Sequence, residues 1–403
     1  MDRTTPTVGD AVVALDRRFP PRLAMAWDRV GLVCGDPAAP VRRVLFAVDP
    51  VADVVDEALD SGADLLVVHH PLLLRGVHSV AATTFKGAVV HRLIAGGVAL
   101  YNAHTNADAA TDGVADALAA AVGLVDVAPM VPDPGPVLDK HVVFVPVADA
   151  AGVVDAMAAA GAGAVGEYSR CAWTATGEGT FVPSTQAAPA IGTAGQVTTV
   201  VEARVEMVAA RGRRTDVVAA MRAAHPYEEP AFDVLELATW PGATGLGRVG
   251  RLPAPVTLDR LARTVAAALP ATAAGVRYAG PPDARVRTVA VVGGAGDSEF
   301  DAVRACGADV YVTADLRHHP ASEAREQAEH EAATGRRPAP TPYLVDVSHA
   351  ASEWLWLPAA ASNLAADLGG SVVTQVSTLR TDPWTGHVPS PPQQFSQQSE
   401  GEP

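Results

Sequence analysis

The sequence predicts an α/β fold interrupted by a separate α+β domain. Three observations carry this. Short apolar strands alternate with amphipathic helices over residues 41–124, which implies parallel βαβ units packed as a sandwich. The rhythm breaks at the proline-rich stretch VPDPGPVLDK (131–140) and is replaced by a strand–helix–strands–helix–strand order, the ferredoxin-like signature. It resumes after GLGRVGRLP (245–253). The expected division is a first α/β domain at 1–135, an inserted ferredoxin-like domain at 136–245, a second α/β domain at 246–381 and a disordered tail at 382–403.

Taken in order, residues 8–18 read as an amphipathic helix stopped by Pro20-Pro21. VRRVLFAVD (41–49) is a strand, VADVVDEALDSG (51–62) a helix ended by Gly62, and ADLLVVHHP (63–71) a second strand. Helix 87–97, strand 98–104 and helix 112–124 continue the pattern. In the insert, HVVFVP (141–146) is a strand, 149–163 a helix, 197–209 a strand, 215–226 a helix and 231–237 a strand. Beyond it, helix 258–269, strand 288–294, helix 301–308, strand 309–315, a helix at roughly 319–335 and strand 342–347 restore the α/β alternation. A last helix begins near His349, and the Pro/Gln/Ser-rich end is of disordered composition. The stretches 131–140 and 245–250 read as linkers. GLGRVG lacks the strand and helix that flank a phosphate-binding glycine loop.

With 403 residues, about half of them hydrophobic, the chain has enough apolar side chain for two or three domains. A net charge of −15 argues against a general nucleic-acid binder and against an anionic membrane surface. Local basic residues such as Arg211, Arg213 and Arg214 are the one counter-signal. Cys34, Cys171 and Cys306 are far apart, so neither a disulfide framework nor a zinc-thiolate site is expected. No secretory signal and no uncharged, predominantly apolar run of roughly 20 residues is visible, so a cytoplasmic location is expected.

Three clusters carry candidate chemistry. His69 and His70 end an apolar strand, where open α/β sheets place ligand-binding groups. His104 and Asp108 follow the next strand, four residues apart. His349 and Glu353 have the same spacing in DVSHAASEW (346–354), which puts an imidazole and a carboxylate on one helix face. Each has a bland reading alone: a core histidine, a helix N-cap, a surface ion pair. Together, His69, His70, Asp108, His349 and Glu353 offer more nitrogen and oxygen ligands than one tetrahedral ion needs. Two divalent ions would use them, with Asp108 as the natural bridge, and zinc, manganese, iron or cobalt suits such ligands. Asp28 in WDRVGL, and Asp315, His318 and His319 in TADLRHH, are candidates to line the same cleft or contact substrate. HPYEEPAFD (225–233) reads as a rigid connection between helix and strand.

WDRVGL, VVHHPLLLRG, NAHTNADAATDGVADALA, VTADLRHH and DVSHAASEW stand in the order and spacing of a known family, and the chain resembles its members over nearly its whole length. These are the NIF-three-like proteins, also labelled GTP cyclohydrolase 1 type 2 homologues or dinuclear-metal-centre hexameric proteins. HPYEEPAFD and GEGTFVPS resemble the PII- or CutA-like insert of longer bacterial members. The resemblance implies two similar α/β domains facing a shared metal cleft, two divalent ions per chain and a homohexamer. It places the metal ligands on His69, His70, Asp108, His349 and Glu353, and His104 nearby. Where the family often has Asp-Asn, this chain has Asp28-Arg29. The function implied is metal-dependent hydrolysis, cyclohydrolase-like, on an unidentified small molecule. The alternative is a metal-binding scaffold or interaction protein without turnover.

Overall fold

The computed structural model describes residues 5–389, so the expected disorder of the tail lies, from residue 390 on, outside the described residues. Residues 382–389 contain no helix or strand. The chain divides into two compact units, one built from the segments up to Pro132 and from Ala243 onward, the other from Asp133–Gly242.

The first unit is mixed α/β with two sheets. One sheet has the order Gly31–Cys34, Ala99–Asn102, Leu65–Val68, Arg43–Ala47, Val373–Val376. Its edge strand Gly31–Cys34 is antiparallel to Ala99–Asn102, and the other neighbours are parallel. Side-chain alternation sorts its two faces. Leu45, Leu66, Val68 and Leu100 pack against helices Ala52–Asp60 and Phe85–Ala95. Val44, Phe46, Leu65, Val67 and Tyr101 pack against Val8–Arg18 and Leu357–Asp367. Burial on both faces explains why these strands read as unbroken apolar runs.

The second sheet runs Arg277–Ala279, Tyr343–Val347, Val310–Ala314, Arg285–Ala295, Pro241–Thr257, Val125–Pro134. Again the short edge strand is antiparallel to its neighbour and the next pairs are parallel. Helices Val114–Val122 and Leu258–Ala268 cover one face through Leu118, Val122, Leu261 and Val265. Each half thus lends a strand to the other half's sheet: Val125–Pro134 joins the second, Val373–Val376 the first.

Both expected linkers are corrected. Residues 131–140 fall mostly in two strands, Val125–Pro134 and Leu138–Pro146. Val125–Pro134 is a sheet edge, where prolines can lack an N–H without breaking a ladder. Residues 245–250 lie within the long strand Pro241–Thr257, paired with Arg285–Ala295 through Arg248↔Val291 and Gly250↔Val289. Its signal was hidden because close packing uses glycine: a Cβ at Gly250 would stand 3.0 Å from the Val125 carbonyl oxygen. Arg248, in the same strand, is buried and holds the Asp116 carboxylate through Nε and Nη2, at 2.6 and 2.9 Å.

The unit Asp133–Gly242 contains strand Leu138–Pro146, helix Ala150–Ala159, strands Trp173–Phe181 and Thr198–Ala210, helix Arg214–Ala224 and strand Phe232–Glu236. The strands form an antiparallel sheet in the order second, third, first, fourth. Val143, Val145, Val205 and Met207 bury one face against Val153, Met157, Val217 and Met221 of the helices. The arginines noted as a basic patch are neutralised within this unit. Arg211 and Arg214 both bind the buried Asp139, and Arg213 pairs with Asp216. Among the described residues no helix is long and apolar enough to cross a membrane.

Candidate metal centre

The strand Leu65–Val68 ends before the two histidines, and the chain bends there. The bend frees His69 and His70 from strand alternation, so both rings turn to one side with centroids 5.1 Å apart. The neighbouring strand Ala99–Asn102 leads into the short helix Thr105–Ala109, which carries Asp108 and has His104 at its N-cap. From the other half, Tyr343–Val347 leads into helix His349–Trp354, whose first turn aligns His349 with Glu353: Nε2 to Oε1 is 3.0 Å.

These residues meet in one cluster. His70 Nε2 is 3.1 Å from Glu353 Oε2 and 3.2 Å from His349 Nε2. His69 Nε2 is 3.5 Å from Glu353 Oε1 and 3.7 Å from Asp108 Oδ1. The carboxylate reaching three imidazoles is therefore Glu353, whereas Asp108 meets His69. His104 stands against the same group, its ring 5.2 Å from His69 and 5.6 Å from His70. Two sets of donor atoms are close enough to share an ion: His69, His70 and His104, and His70, His349 and Glu353.

The Nδ1 atoms fix what the Nε2 atoms can do. His69 Nδ1 donates to the Ala103 carbonyl at 2.9 Å, and His70 Nδ1 to Asp49 Oδ1 at 2.6 Å. His349 Nδ1 donates to Asp315 Oδ2 at 2.7 Å, and His104 Nδ1 to Asp28 Oδ1 at 2.9 Å. With every Nδ1 proton committed, each neutral ring turns an Nε2 lone pair inward. Such outer partners set the tautomer in metal-binding histidines. His70 and His349 then aim two acceptors at each other and at a carboxylate, with no donor between them. The buried atoms His69 Nε2, Asp108 Oδ1 and Glu353 Oε2 likewise have no hydrogen-bond partner. Buried acceptors without a donor are costly, and a cation satisfies them. Glycine makes the room: a Cβ at Gly294, where φ is +66°, would lie 2.3 Å from Glu353 Oε1 and 3.1 Å from His349 Nε2. Donor types and space both fit a divalent ion.

The electrostatics agree. Burial works against a charged His70, but Glu353 and Asp49 outweigh it and push its pKa up to about 11. His349, subject to burial and to Glu353 and Asp315, rises to about 9. Burial raises Asp108, whereas the imidazoles overcome burial at Glu353 and hold it well below the usual carboxylate range. Without an ion the cluster draws in protons to balance its carboxylates.

Of the other expected residues, Asp28 is buried, accepts from Thr105 N and Oγ1 and holds His104, and Asp315 holds His349. His318 and His319 are exposed at the start of helix His318–Ala333, their rings 5.1 Å from each other. Asp49 was missed. The signal was available, since it follows the strand Arg43–Ala47 as His69 follows the next one. Thr381 Oγ1 donates to Asp49, tying this support to the C-terminal segment.

Fold and site together define an α/β protein with a histidine–carboxylate cluster whose donor atoms could hold a metal ion. The chain belongs to the Duf34/NIF3 (NGG1p interacting factor 3) family, whose model matches residues 6–383. It is 51% identical over 378 residues to a Mycobacterium tuberculosis protein named GTP cyclohydrolase 1 type 2 homolog, covering 94% of this chain and 96% of that one. A Streptomyces coelicolor protein of the same name is 39% identical, with 96% of each covered. Among solved structures, a Bacillus cereus protein related to NIF3 is 35% identical with a TM-score of 0.70, covering 95% of this chain and 99% of that one. A Staphylococcus aureus protein is 26% identical with a TM-score of 0.78, covering 96% and 99%.

Proposed function

We propose that the protein binds two divalent metal ions at this centre and is a metal-dependent hydrolase of a small molecule. The observation that carries the reading is the inward set of donor atoms: His69 Nε2, Asp108 Oδ1 and Glu353 Oε2 without a hydrogen-bond partner, and His70 Nε2 facing His349 Nε2 at 3.2 Å beside Glu353. His70, His349 and Glu353 would hold one ion, and His69, Asp108 and Glu353 the other. Zinc, manganese, iron and cobalt all suit imidazole and carboxylate. Bound there, the ions would supply Lewis-acid activation of a substrate or water oxygen. The chain's own part is to fix the imidazole tautomers through Asp49, Asp315 and the Ala103 carbonyl, and to keep Glu353 ionised within a buried pocket. The relatives' name suggests a cyclohydrolase acting on a purine nucleotide; phosphoester and amide substrates suit the same donors.

The proposal includes a homohexamer, two similar α/β domains facing the metal cleft, and a ferredoxin-like insert of PII or CutA type. The competing reading is a metal-binding scaffold without turnover. The test is elemental analysis of purified protein, followed by hydrolysis assays on nucleotides, phosphodiesters and peptides with each of the four metals. Two ions per chain, and turnover lost in Asp108→Asn while light scattering still gives a hexamer, support the enzyme. Two ions with no turnover of any substrate favour the scaffold. Metal-free protein after growth in all four metals overturns both.

A further inference from the structure

A second site stands in the inserted unit, remote in chemistry from the histidine cluster. Val143, Val145, Ala203 and Val205 face the helices, so Phe144, Glu202 and Arg204, one position along, lie on the opposite face of the sheet. On the neighbouring strand Ala175 pairs with Arg204, and Gly177 with Glu202. Residues this small leave a hollow above the sheet. The segment 183–191 and the turn at 227–229 wall it in, and the Ala188 N–H joins them by donating to Glu228 Oε2 at 3.2 Å. The result is a cavity of about 650 Å³, the size that takes a small organic molecule.

Its chemistry is lopsided. Phe181, Pro183, Ile191 and Ala231 give apolar walls, and the Phe181 and Tyr227 rings stand 5.9 Å apart. The charged lining is Glu178, Glu202, Glu228 and Glu229 against a single cation, Arg204. That cation is already committed: Arg204 Nε donates to Glu206 at 2.9 Å and its guanidinium lies over the Phe144 ring. Glu229 is paired with Arg222 at 2.8 Å. Glu178 and Glu202 have no cationic partner among the described residues. The Glu202 carboxylate lies across Gly179, where there is no side chain to displace it. The buried Tyr227 hydroxyl faces the Glu202 carboxylate without a hydrogen bond of normal length, and its oxygen accepts from no donor among the described residues. Burial and the neighbouring Glu202 push that phenol up to about 12, so it stays a neutral hydroxyl.

We propose that this cavity binds a small organic cation, a protonated amine carried on an apolar body. The ammonium sits at the Glu202 carboxylate and the Tyr227 hydroxyl oxygen. The body lies against Phe181, Pro183 and Ile191. Ammonium donors meet unpaired acceptors here, and the aromatic pair adds attraction for a cation. Phosphorylated or carboxylated molecules meet the reverse: four carboxylates around them against one guanidinium that already pairs with Glu206. An inorganic ion would leave the apolar walls unused. HPYEEPAFD is then a cavity wall as well as the helix-to-strand connection read from the sequence.

The test is calorimetry on the full-length protein with three phenyl compounds of different charge: phenethylammonium chloride, the neutral 2-phenylethanol and the anionic phenyl phosphate. Only the ammonium is expected to bind. Glu202→Gln should weaken it by about tenfold or more, as for a lost charge-assisted hydrogen bond. Tyr227→Phe should weaken it by less. Asp108→Asn, which disturbs only the histidine cluster, should leave it unchanged. Absence of ammonium binding, phenyl phosphate binding as tightly, or full affinity in both Glu202→Gln and Tyr227→Phe would each overturn the assignment.

Discussion

In the first half of the α/β unit, strand Ala99–Asn102 runs into His104 and Asp108; in the second, strand Tyr343–Val347 runs into His349 and Glu353. The two strands occupy the same place in their sheets, each beside a short antiparallel edge strand and a parallel inner one. Each is followed by a histidine at a helix start, His104 as N-cap and His349 as first residue, and, four residues on, by a carboxylate within the helix. Each histidine gives Nδ1 to an aspartate, Asp28 or Asp315. The inner strands break the likeness: Leu65–Val68 delivers His69 and His70, whereas Val310–Ala314 delivers Asp315. A shared strand arrangement thus yields an asymmetric cluster. The extra imidazoles all fall nearest Glu353, which is held ionised, while Asp108 is raised by burial. The lesson is that equivalent carboxylates differ in how far imidazole already compensates them.

The largest expected effect tests that asymmetry. Glu353 touches three imidazoles, so Glu353→Gln should strip both ions, whereas Asp108→Asn should leave about one, since His70, His349 and Glu353 remain as a three-ligand site. Elemental analysis per chain reads both. Equal losses would show that the two carboxylates are interchangeable and would break the comparison.

The orienting aspartates sharpen it. Asp49→Asn and Asp315→Asn should each lower metal affinity by about 10- to 100-fold, the usual cost of losing an outer partner. Asp28→Asn should cost much less, because His104 lies outside the proposed ligand set. An equal loss in Asp28→Asn, measured by competition with a chelator, would place His104 among the ligands and make the two halves more alike than proposed.

How much of this was legible follows from where signals sit. The clusters were readable because each stands just past an apolar strand, and polar residues at the end of a buried run are conspicuous. The order of the strands was not, because Val373–Val376 joins Arg43–Ala47 from the far end of the chain and no local pattern encodes that pairing. Asp49 was overlooked since one acidic residue after a strand is common. Gly293-Gly294 read as a strand end; only the packed Glu353 and His349 show why a side chain there would collide. The pocket in the insert was invisible for a similar reason, because Glu202, Gly179 and Tyr227 are far apart in sequence and individually ordinary.

A third expectation concerns protons. His70 and His349 are raised, to about 11 and about 9, so below those values the ion-free protein holds extra protons. An imidazole must be neutral at Nε2 to bind metal, so loading should release protons and affinity should climb as pH rises through about 9 toward about 11. Calorimetry at pH 7 in two buffers of different ionisation enthalpy measures the release directly. Proton uptake, or none, would mean that metal does not replace protons in this cluster.

The smallest effect contrasts these histidines with His141 of the insert. The cluster histidines rise because carboxylates surround them. His141 is buried with Nε2 unpartnered; burial and Arg214 lower its pKa, and Asp139 only partly opposes them. The sign is therefore opposite. Unfolding lets His141 take a proton near its ordinary 6.5, so the unfolded chain binds more protons and the insert loses stability as pH falls through that value and below. Asp139 adds to the trend at still lower pH. Arg214 and Arg211 hold its carboxyl below the usual range, so its contribution is lost as the pH falls through that depressed value. His141→Phe should remove the first part of this dependence and leave the second. Urea unfolding of the full chain, followed by hydrogen exchange in strands Leu138–Pro146 and Thr198–Ala210, separates the insert from the rest. A wild-type midpoint that holds or rises as the pH drops below about 6.5 would show that His141 is not kept neutral by burial, and that the two kinds of histidine differ less than their surroundings imply.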